Sequence, residues 1–280
     1  MEKIFIVGRH RSGTTMVSNL LVENGIAYSP VHEEHKGVHE SAFFSHVVPY
    51  FNGFKSNEDR LTLHYSFQKS DYFRLLGIGA KKLPHSENKY QYFCTIMSQA
   101  AEKNGYIAWL EKTPAHSLFV RELYENIEGV KIVWVKRNLY DVIKSNVYAF
   151  GCPSKIRFWF KHAVISGCYD RILYSFREKM YCVSYEKFVA NPKLELSLLS
   201  DHLVGGRQVT IEKSGYSKNS SYGKLKRGES DKLRDKIYFN ISRVLYFLIF
   251  YTPANVIVFA IHCRMKLRTK LPSWFYKVYS

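Results

Sequence analysis

Short apolar runs alternate with longer amphipathic stretches along most of the chain. The apolar runs predict β-strands at residues 3–7, 106–110, 130–135 and 180–184. The amphipathic stretches predict helices at residues 14–24, 91–104, 115–126, 139–149, 155–176 and 193–203. This alternation is typical of an α/β fold, in which a central parallel sheet is flanked by helices. Because parallel sheets bind ligands at the carboxyl ends of their strands, functional residues are expected directly after the strands.

The last part of the chain has a different pattern. Residues 244–263 carry no Asp, Glu, Lys or Arg over 20 positions, which is long enough for a membrane-spanning helix. Pro253 and Asn255 interrupt this stretch and leave three interpretations open: two helices broken at Pro253 and packed on the domain, a hairpin in the membrane interface, or a spanning helix. We therefore predict one domain over residues 1–230 and a basic, apolar helical extension over residues 231–280.

Composition narrows the class of protein. A hydrophobic fraction of 46% excludes a disordered or collagen-like chain. The formal net charge of +17 favours anionic partners such as phosphates, sulfates, nucleic acid or acidic lipid headgroups. No acidic residue follows Asp235, whereas seven Lys or Arg do, and this asymmetry favours an anionic membrane surface.

Two features indicate the compartment. The five cysteines are scattered and form no C-x-x-C pair, which argues against a zinc ribbon or a disulfide scaffold and favours a reducing compartment. The apolar run at residues 3–7 ends at Gly8 and is too short for a signal peptide. We therefore expect a cytoplasmic protein, with peripheral attachment to the inner face of the plasma membrane as an option.

A glycine-rich turn follows the first predicted strand. Its sequence is Gly8-Arg9-His10-Arg11-Ser12-Gly13-Thr14-Thr15, and a predicted helix begins within it. The backbone N–H groups of such a turn, together with the helix N-terminus, bind anions. A Walker A loop would have lysine after the second glycine, whereas Thr14 occupies that position and the cation is Arg11. The turn therefore favours a short phosphate group bound by an arginine over an ATP or GTP hydrolase.

A second turn of this kind follows the strand at residues 130–135. It contains Arg137, which can bind a phosphate through two hydrogen bonds. Ser145 lies two helical turns further on, roughly on the same side of the predicted helix. After the last strand, Tyr185 is a candidate either to stack on a base or to pack in the core. The basic segment at residues 219–228 suits a loop that closes over a phosphate.

The two arginine-bearing turns, in this order, resemble the phosphate-binding motifs of sulfotransferases that use 3′-phosphoadenosine 5′-phosphosulfate (PAPS). The resemblance extends over residues 3–230 and is to the bacterial, carbohydrate-type branch. Met16 stands where many cytosolic members have an adenine-stacking tryptophan, which argues against the small-phenol and steroid branch. It implies a P-loop-nucleotide-kinase-like sulfotransferase fold, PAPS as the sulfuryl donor and no metal. The residues that it implies for PAPS binding are Arg9, His10, Arg11, Ser12, Gly13, Thr14, Thr15, Arg137, Ser145, Tyr185, Lys224 and Arg227.

The resemblance also implies catalytic roles. Arg11 stabilises the charge on the bridging oxygen as the phosphate leaves, and Lys112 contacts the sulfonate or the acceptor. Glu40 is the first candidate for the base that activates the acceptor hydroxyl. His116 is the second, because histidine titrates near neutrality.

Other roles for the acidic and histidine residues stay open. Glu111 and Glu33 are further candidates for the base. The stretch at residues 32–39 contains three histidines and two glutamates and could suggest a metal site, but the resemblance accounts for it without one.

The expected function is therefore transfer of a sulfuryl group from PAPS to a hydroxyl of a carbohydrate or glycoconjugate. A saccharide or lipid-linked glycan is the expected partner, because the chain is rich in aromatic residues on which sugars stack. Nucleic acid is not an expected partner. Two alternatives remain: a P-loop-like nucleotide kinase or NTPase, and a basic non-enzymatic protein that binds anions or membranes.

Overall fold

A parallel sheet of four strands lies at the centre of the protein. The computed structural model describes residues 1–35, 37–51, 54–79, 84, 86, 88–205, 231–265, 271 and 275. The strands are β1 (Glu2–Gly8), β2 (Val31–His32), β3 (Gly37–Val38), β4 (Ala108–Glu111), β5 (Val130–Lys136) and β6 (Tyr181–Ser184). The sheet has the order β4-β1-β5-β6, while β2 and β3 form a separate antiparallel pair. The four predicted strands and the α/β class are confirmed.

Helices connect the strands and cover both faces of the sheet. They are α1 (Thr14–Glu23), α2 (Val48–Tyr50), α3 (Asn57–Gln68), α4 (Asp71–Leu75), α5 (Lys89–Lys103), α6 (Val120–Asn126), α7 (Leu139–Phe150), α8 (Ile156–Tyr174), α9 (Tyr185–Ala190), α10 (Pro192–Val204), α11 (Lys232–Phe250) and α12 (Ala254–Met265). A π-helical turn at Phe43–Val47 precedes α2, and 3₁₀ turns lie at Glu33–His35, Pro114–Phe119 and Arg177–Lys179. The helix predicted at residues 115–126 is divided between the 3₁₀ turn Pro114–Phe119 and α6.

Alternate residues of β1 build the core on its two sides, as the two-residue period of a strand requires. Phe5 belongs to an aromatic cluster that includes Phe93 and Trp109. Ile4 and Ile6 belong to an aliphatic cluster on the other side, against α1 and α10. Burial of each of these side chains stabilises the fold by about 1.5–3 kcal/mol, and their packing fixes the carboxyl end of β1 where the glycine-rich turn begins.

The end of the chain forms two helices that pack on the domain. α11 ends at Phe250, and α12 begins just after Pro253. α11 lies so close to α8 that a Cβ atom on Gly167 would come within 2.9 Å of the Tyr246 carbonyl oxygen. The break at Pro253 and the packing on the domain match the first of the three interpretations, and contact of these helices with a membrane stays a prediction. Residues 206–230 lie outside the described part of the chain. The domain boundary predicted at residue 230 and the predicted cofactor-binding residues Lys224 and Arg227 fall in this range.

The two C-terminal helices differ from a simple membrane span. Within the described residues, no single helix is both long enough and apolar enough to cross a membrane. α11 and residues 254–261 meet these criteria only as a pair, bent by 99° at the break.

Candidate active site

The glycine-rich turn, called the phosphate loop below (residues 8–15), connects β1 to α1. Ser117 anchors its start, because the Ser117 hydroxyl accepts a hydrogen bond from the Gly8 N–H at 2.9 Å and donates one to the Gly8 carbonyl at 3.1 Å. Arg11 adopts a left-handed backbone conformation with φ 72°, and Gly13 has φ 101°. A left-handed arginine is uncommon and costs free energy, which indicates that the surrounding structure imposes this turn.

The N-terminus of α1 is open to an anion. Gly13 occupies the cap position without a side-chain hydrogen bond, and no acidic residue lies in the first turn. The Ser12 hydroxyl is buried and has no hydrogen-bond partner among the described residues. Gly13 cannot be replaced by a larger residue, since an added Cβ would lie 2.4 Å from the Tyr185 ring. Tyr185 therefore covers the end of the loop.

The second turn meets the first. Arg137 Nη1 donates a hydrogen bond to the Arg11 carbonyl at 3.0 Å, and its guanidinium lies 4.3 Å from the centre of the Tyr185 ring. Arg11 Nε donates a hydrogen bond to the Ser145 hydroxyl at 2.9 Å. The structure thus brings four of the sequence-predicted residues, Arg11, Arg137, Ser145 and Tyr185, into one site.

Two side chains hold the second turn in place. Asn138 caps α7, accepting a hydrogen bond from the Tyr140 N–H at 2.9 Å. Glu186 accepts a hydrogen bond from the Asn138 N–H at 2.8 Å. Burial raises the pKa of Glu186, but backbone hydrogen bonds, the Ser184 hydroxyl and nearby Arg137 outweigh this effect and lower it overall. Glu186 is therefore a carboxylate that holds the backbone of the turn directly after Arg137.

Lys112 and Glu40 form an ion pair. Lys112 Nζ lies 3.0 Å from Glu40 Oε1. The Lys112 side chain is buried, whereas that of Glu40 is 31% exposed. A lysine held in this way has a fixed position, while the carboxylate keeps access to a ligand.

Glu111 and His116 form a buried pair next to Lys112. His116 Nδ1 lies 2.7 Å from Glu111 Oε2, and His116 Nε2 accepts a hydrogen bond from the Phe44 N–H at 3.2 Å. Both ring nitrogens are thus engaged, the side chain is buried, and no lone pair is left to accept a proton from an acceptor. This arrangement argues against His116 as the base and in favour of a structural role.

Glu111 is equally confined. Its other oxygen accepts hydrogen bonds from Thr113 and from Ser41, the latter at 2.7 Å. Burial raises its pKa, but His116 and the three hydrogen bonds outweigh burial and hold the pKa below its usual value. Because both oxygens of this buried carboxylate already have hydrogen-bond partners, Glu111 stabilises the turn after β4. For the same reason it is a poor candidate for a base.

Arg9 has buried protein partners of its own. Its guanidinium lies 3.3 Å from Asp170 of α8 and also contacts the carbonyl oxygen of Arg137. Tyr246 of α11 donates a hydrogen bond to the same Asp170 oxygen at 2.8 Å. Arg9 therefore links the phosphate loop to α8 and α11, and its role toward a cofactor stays a prediction.

The remaining predicted residues lie in or near the loop. His10 keeps an exposed edge, yet desolvation lowers its pKa; Glu40 opposes this effect, and Lys112 and Arg11 add to it. Thr14 is buried, and Thr15 is half-buried in the first turn of α1. Glu33 is exposed in a 3₁₀ turn. Among the described residues, no group of three His, Cys, Asp or Glu is arranged to hold a metal ion.

Three residues that support the site had no clear signal in the sequence. Asp170 lies about one turn before the end of α8, outside any motif. Ser117 and Glu186 adjoin recognised segments, but their partners, Gly8 and Asn138, are distant along the chain. Only tertiary packing brings these pairs together.

Residues 3–205 match the model of the sulfotransferase family. Similar solved structures include the sulfotransferase domain of the Synechococcus PCC 7002 olefin synthase, with 12% identity and a TM-score of 0.44 over 97% of this chain and 95% of that one. The sulfotransferase STF9 from Mycobacterium avium has 13% identity and a TM-score of 0.47 over 94% of this chain and 76% of that one. No significant match was found among curated proteins.

Proposed function

Since the chain belongs to the sulfotransferase family, we propose that it transfers a sulfuryl group from PAPS to a hydroxyl of a carbohydrate or glycoconjugate. The family generally uses PAPS as donor. The observation that carries the proposal is the contact between the two arginine-bearing turns, in which Arg137 Nη1 lies 3.0 Å from the Arg11 carbonyl. A single nucleotide with phosphates at its 3′ and 5′ positions can therefore contact both turns.

Unpartnered buried atoms support this donor. Within the described residues, Arg137 Nε and Ser12 Oγ have no hydrogen-bond partner, and such atoms cost free energy until a ligand satisfies them. The open N-terminus of α1 favours a phosphate. We assign the 5′-phosphate to the phosphate loop, the 3′-phosphate to Arg137 and Ser145, and the adenine to the vicinity of Tyr185.

The other side chains fit sulfuryl transfer. When bound, PAPS supplies the sulfuryl group, whose S–O bond to the 5′-phosphate breaks as a new S–O bond forms to the acceptor oxygen and the acceptor proton passes to a base. Glu40 is the proposed base, because its carboxylate is partly exposed and Lys112 holds it at 3.0 Å. Arg11 and Lys112 supply fixed positive charge where negative charge develops.

Calorimetry with adenosine 3′,5′-bisphosphate and with ATP, each with and without Mg²⁺, tests the donor. We expect the bisphosphate to bind without metal and at least ~10-fold more tightly than ATP, because each charge-assisted hydrogen bond that ATP cannot make is worth about 1.5–3 kcal/mol. Tighter, Mg²⁺-dependent ATP binding would favour a P-loop kinase or NTPase instead. Binding of neither nucleotide would favour a basic, non-enzymatic protein.

We further propose that α11 attaches the protein peripherally to an anionic membrane, such as the inner face of the plasma membrane. Exposed apolar residues recur along α11 every three or four positions, a spacing that aligns them on one side of the helix. This apolar stripe consists of Leu233, Ile237, Ile241, Val244, Leu248 and Tyr251. Lys236 and Arg243 are exposed on the same helix. Apolar area and positive charge together favour the interface of an anionic bilayer, which would bring a lipid-linked glycan within reach of the site.

A further inference from the structure

A cavity of about 280 Å³ lies beside the phosphate loop, between α7 and α8. Its lining includes His10, Asn146, Phe150, Lys161, His162 and Tyr169. Arg137 and Ser145, which we assign to a nucleotide phosphate, are not among the described residues that line it. The cavity therefore has room for a second ligand next to the donor.

His162 lines the cavity and has an unpartnered polar atom. The residue is only 7% exposed, and its Nε2 atom is buried without a hydrogen-bond partner among the described residues. Burial, followed by the positive charge of Lys161 and by an electrostatic interaction with His10, lowers the pKa of His162 to about 4. The ring is therefore neutral near pH 7, and its free nitrogen can exchange a hydrogen bond with a hydroxyl group.

His10 connects this cavity to the proposed catalytic pair. Its ring lines the cavity and lies within electrostatic range of Glu40 and Lys112. Asn146 Nδ2 donates a hydrogen bond to the His10 carbonyl at 3.0 Å and fixes this part of the loop against α7. A ring bound in the cavity would therefore contact a residue that also interacts electrostatically with Glu40 and Lys112.

We propose that this cavity is the acceptor subsite and that it holds one hydroxylated sugar ring with an acidic group, a hydroxyl meeting His162 Nε2 and the acid meeting Lys161. The volume is just below that of sites for drug-sized ligands and suits a single ring. Tyr169 and Phe150 provide aromatic surface. The charged residues of the described lining, Arg9 and Lys161, are both basic, and Arg9 is already paired with Asp170. The inference rests on the proposed function and names its acceptor class, with His162 as a positioning residue.

NMR of the full chain with ¹³C-labelled histidine tests the subsite. The His162 signal is identified by its loss in His162→Phe. D-glucuronate, D-glucose and 4-methylphenol are titrated separately, with and without adenosine 3′,5′-bisphosphate. We expect a saturable shift of the His162 signal with glucuronate, and at least ~10-fold weaker binding of glucose, which lacks the charged partner for Lys161.

Variants of His162 and Lys161 distinguish a role in positioning the sugar from a role in folding. Because His162→Phe removes the His162 signal, sugar binding is followed at the His10 signal. His162→Phe keeps the ring but removes the nitrogen, and it should weaken glucuronate binding ~10-fold, whereas His162→Gln restores a polar atom and should bind within ~3-fold of the original. Lys161→Gln should abolish the preference for glucuronate over glucose. His202→Phe, an exposed histidine on α10, is the matched control, and thermal melting verifies the fold of each variant.

Nucleotide binding distinguishes failure of this inference from failure of the proposed donor. If adenosine 3′,5′-bisphosphate binds but no sugar shifts the His162 signal, the acceptor subsite is wrong while the donor assignment stands. A saturable sugar shift without nucleotide binding supports the subsite and overturns the donor. A larger shift with 4-methylphenol than with glucuronate overturns the acceptor class.

Discussion

Arg137 shows why an arginine is needed at the second turn. Its guanidinium donates to the Arg11 carbonyl at 3.0 Å, lies over the Tyr185 ring at 4.3 Å, and keeps a buried Nε atom without a described partner. A planar cation can stack and donate along its edge at the same time, whereas an ammonium group cannot. The residue can therefore support both turns while a phosphate takes its remaining donor.

Arg137→Lys should weaken binding of adenosine 3′,5′-bisphosphate about 10- to 100-fold. The reason is the loss of one charge-assisted hydrogen bond and of the stacked geometry, each contributing on the order of 1–3 kcal/mol. Calorimetry measures the effect, and Arg177→Lys, an exposed arginine paired with Glu178, is the control. An affinity within twofold of the original would contradict the assignment of Arg137 to a phosphate.

Two carboxylates near Lys112 have different environments. Glu111 is buried with hydrogen bonds from Ser41, Thr113 and His116. The Glu40 side chain is 31% exposed, and within the described residues its ion-pair partner is Lys112. A proton acceptor must reach the acceptor hydroxyl, so its exposure is the reason that we propose Glu40 rather than Glu111 as the base.

Glu40→Gln should reduce kcat for transfer from PAPS by about 100-fold or more, because the amide can still contact Lys112 but cannot accept a proton. Affinity for adenosine 3′,5′-bisphosphate should stay unchanged. Glu33→Gln, in an exposed turn, should keep its activity. Loss of activity in Glu33→Gln with retention in Glu40→Gln would reverse the assignment of the base.

At the level of elements, α8 connects the phosphate loop to α11. Asp170 binds Arg9 at 3.3 Å and accepts a hydrogen bond from Tyr246 at 2.8 Å. Burial raises the pKa of Asp170, and the charge of Arg9 and the Tyr246 hydroxyl offset this only in part. The carboxylate therefore depends on both partners, one from each side of α8.

Tyr246→Phe should lower the free energy of unfolding by about 1–3 kcal/mol, since it removes a donor from a buried carboxylate. For a chain of this length, Tm should fall by about 2–4 °C for each kcal/mol lost. Thermal melting measures the change, and Tyr251→Phe, an exposed tyrosine at the end of α11, is the matched control. Equal melting temperatures for the two variants would show that the Asp170 contact contributes little.

Local signals explain which elements were predictable. The signal for each strand is a short apolar run. The signal for the two turns is the spacing of glycine and arginine within a few residues. α3 carries almost none, because it buries only Leu63, His64 and Phe67 and is otherwise polar. The ion pair of Glu40 with Lys112 and that of Arg9 with Asp170 arise from packing between distant segments, so the resemblance could name Glu40 and Lys112 but no pattern could predict their contacts.

For the whole molecule, the apolar stripe on α11 is the surface through which we propose that the protein attaches to a membrane. Leu248, which lies between Val244 and Tyr251 in this stripe, is 63% exposed. Removal of the whole C-terminal part would be a poor test, because Tyr238, Phe239 and Tyr246 pack against the cluster around Trp159. Surface substitutions leave that packing intact.

Leu248→Glu should reduce binding to vesicles that contain phosphatidylglycerol at least ~10-fold, since it removes about 2 kcal/mol of apolar burial and adds a repelled charge. Vesicle flotation measures binding, and added salt should weaken it. Val189→Glu, on exposed α9, is the control. Equal flotation of both variants, or equal binding to neutral phosphatidylcholine vesicles, would contradict attachment through this stripe.

The contact of Arg9 with Asp170 and Tyr246 also has a consequence for biosynthesis. The ribosome completes the segment with Arg9 first, that with Asp170 much later, and that with Tyr246 near the end of translation. Until α8 and α11 have emerged, the Arg9 guanidinium lacks the carboxylate and the hydroxyl that complete its surroundings. We therefore expect the surroundings of Arg9 to be complete only after residue 246 has left the ribosomal exit tunnel.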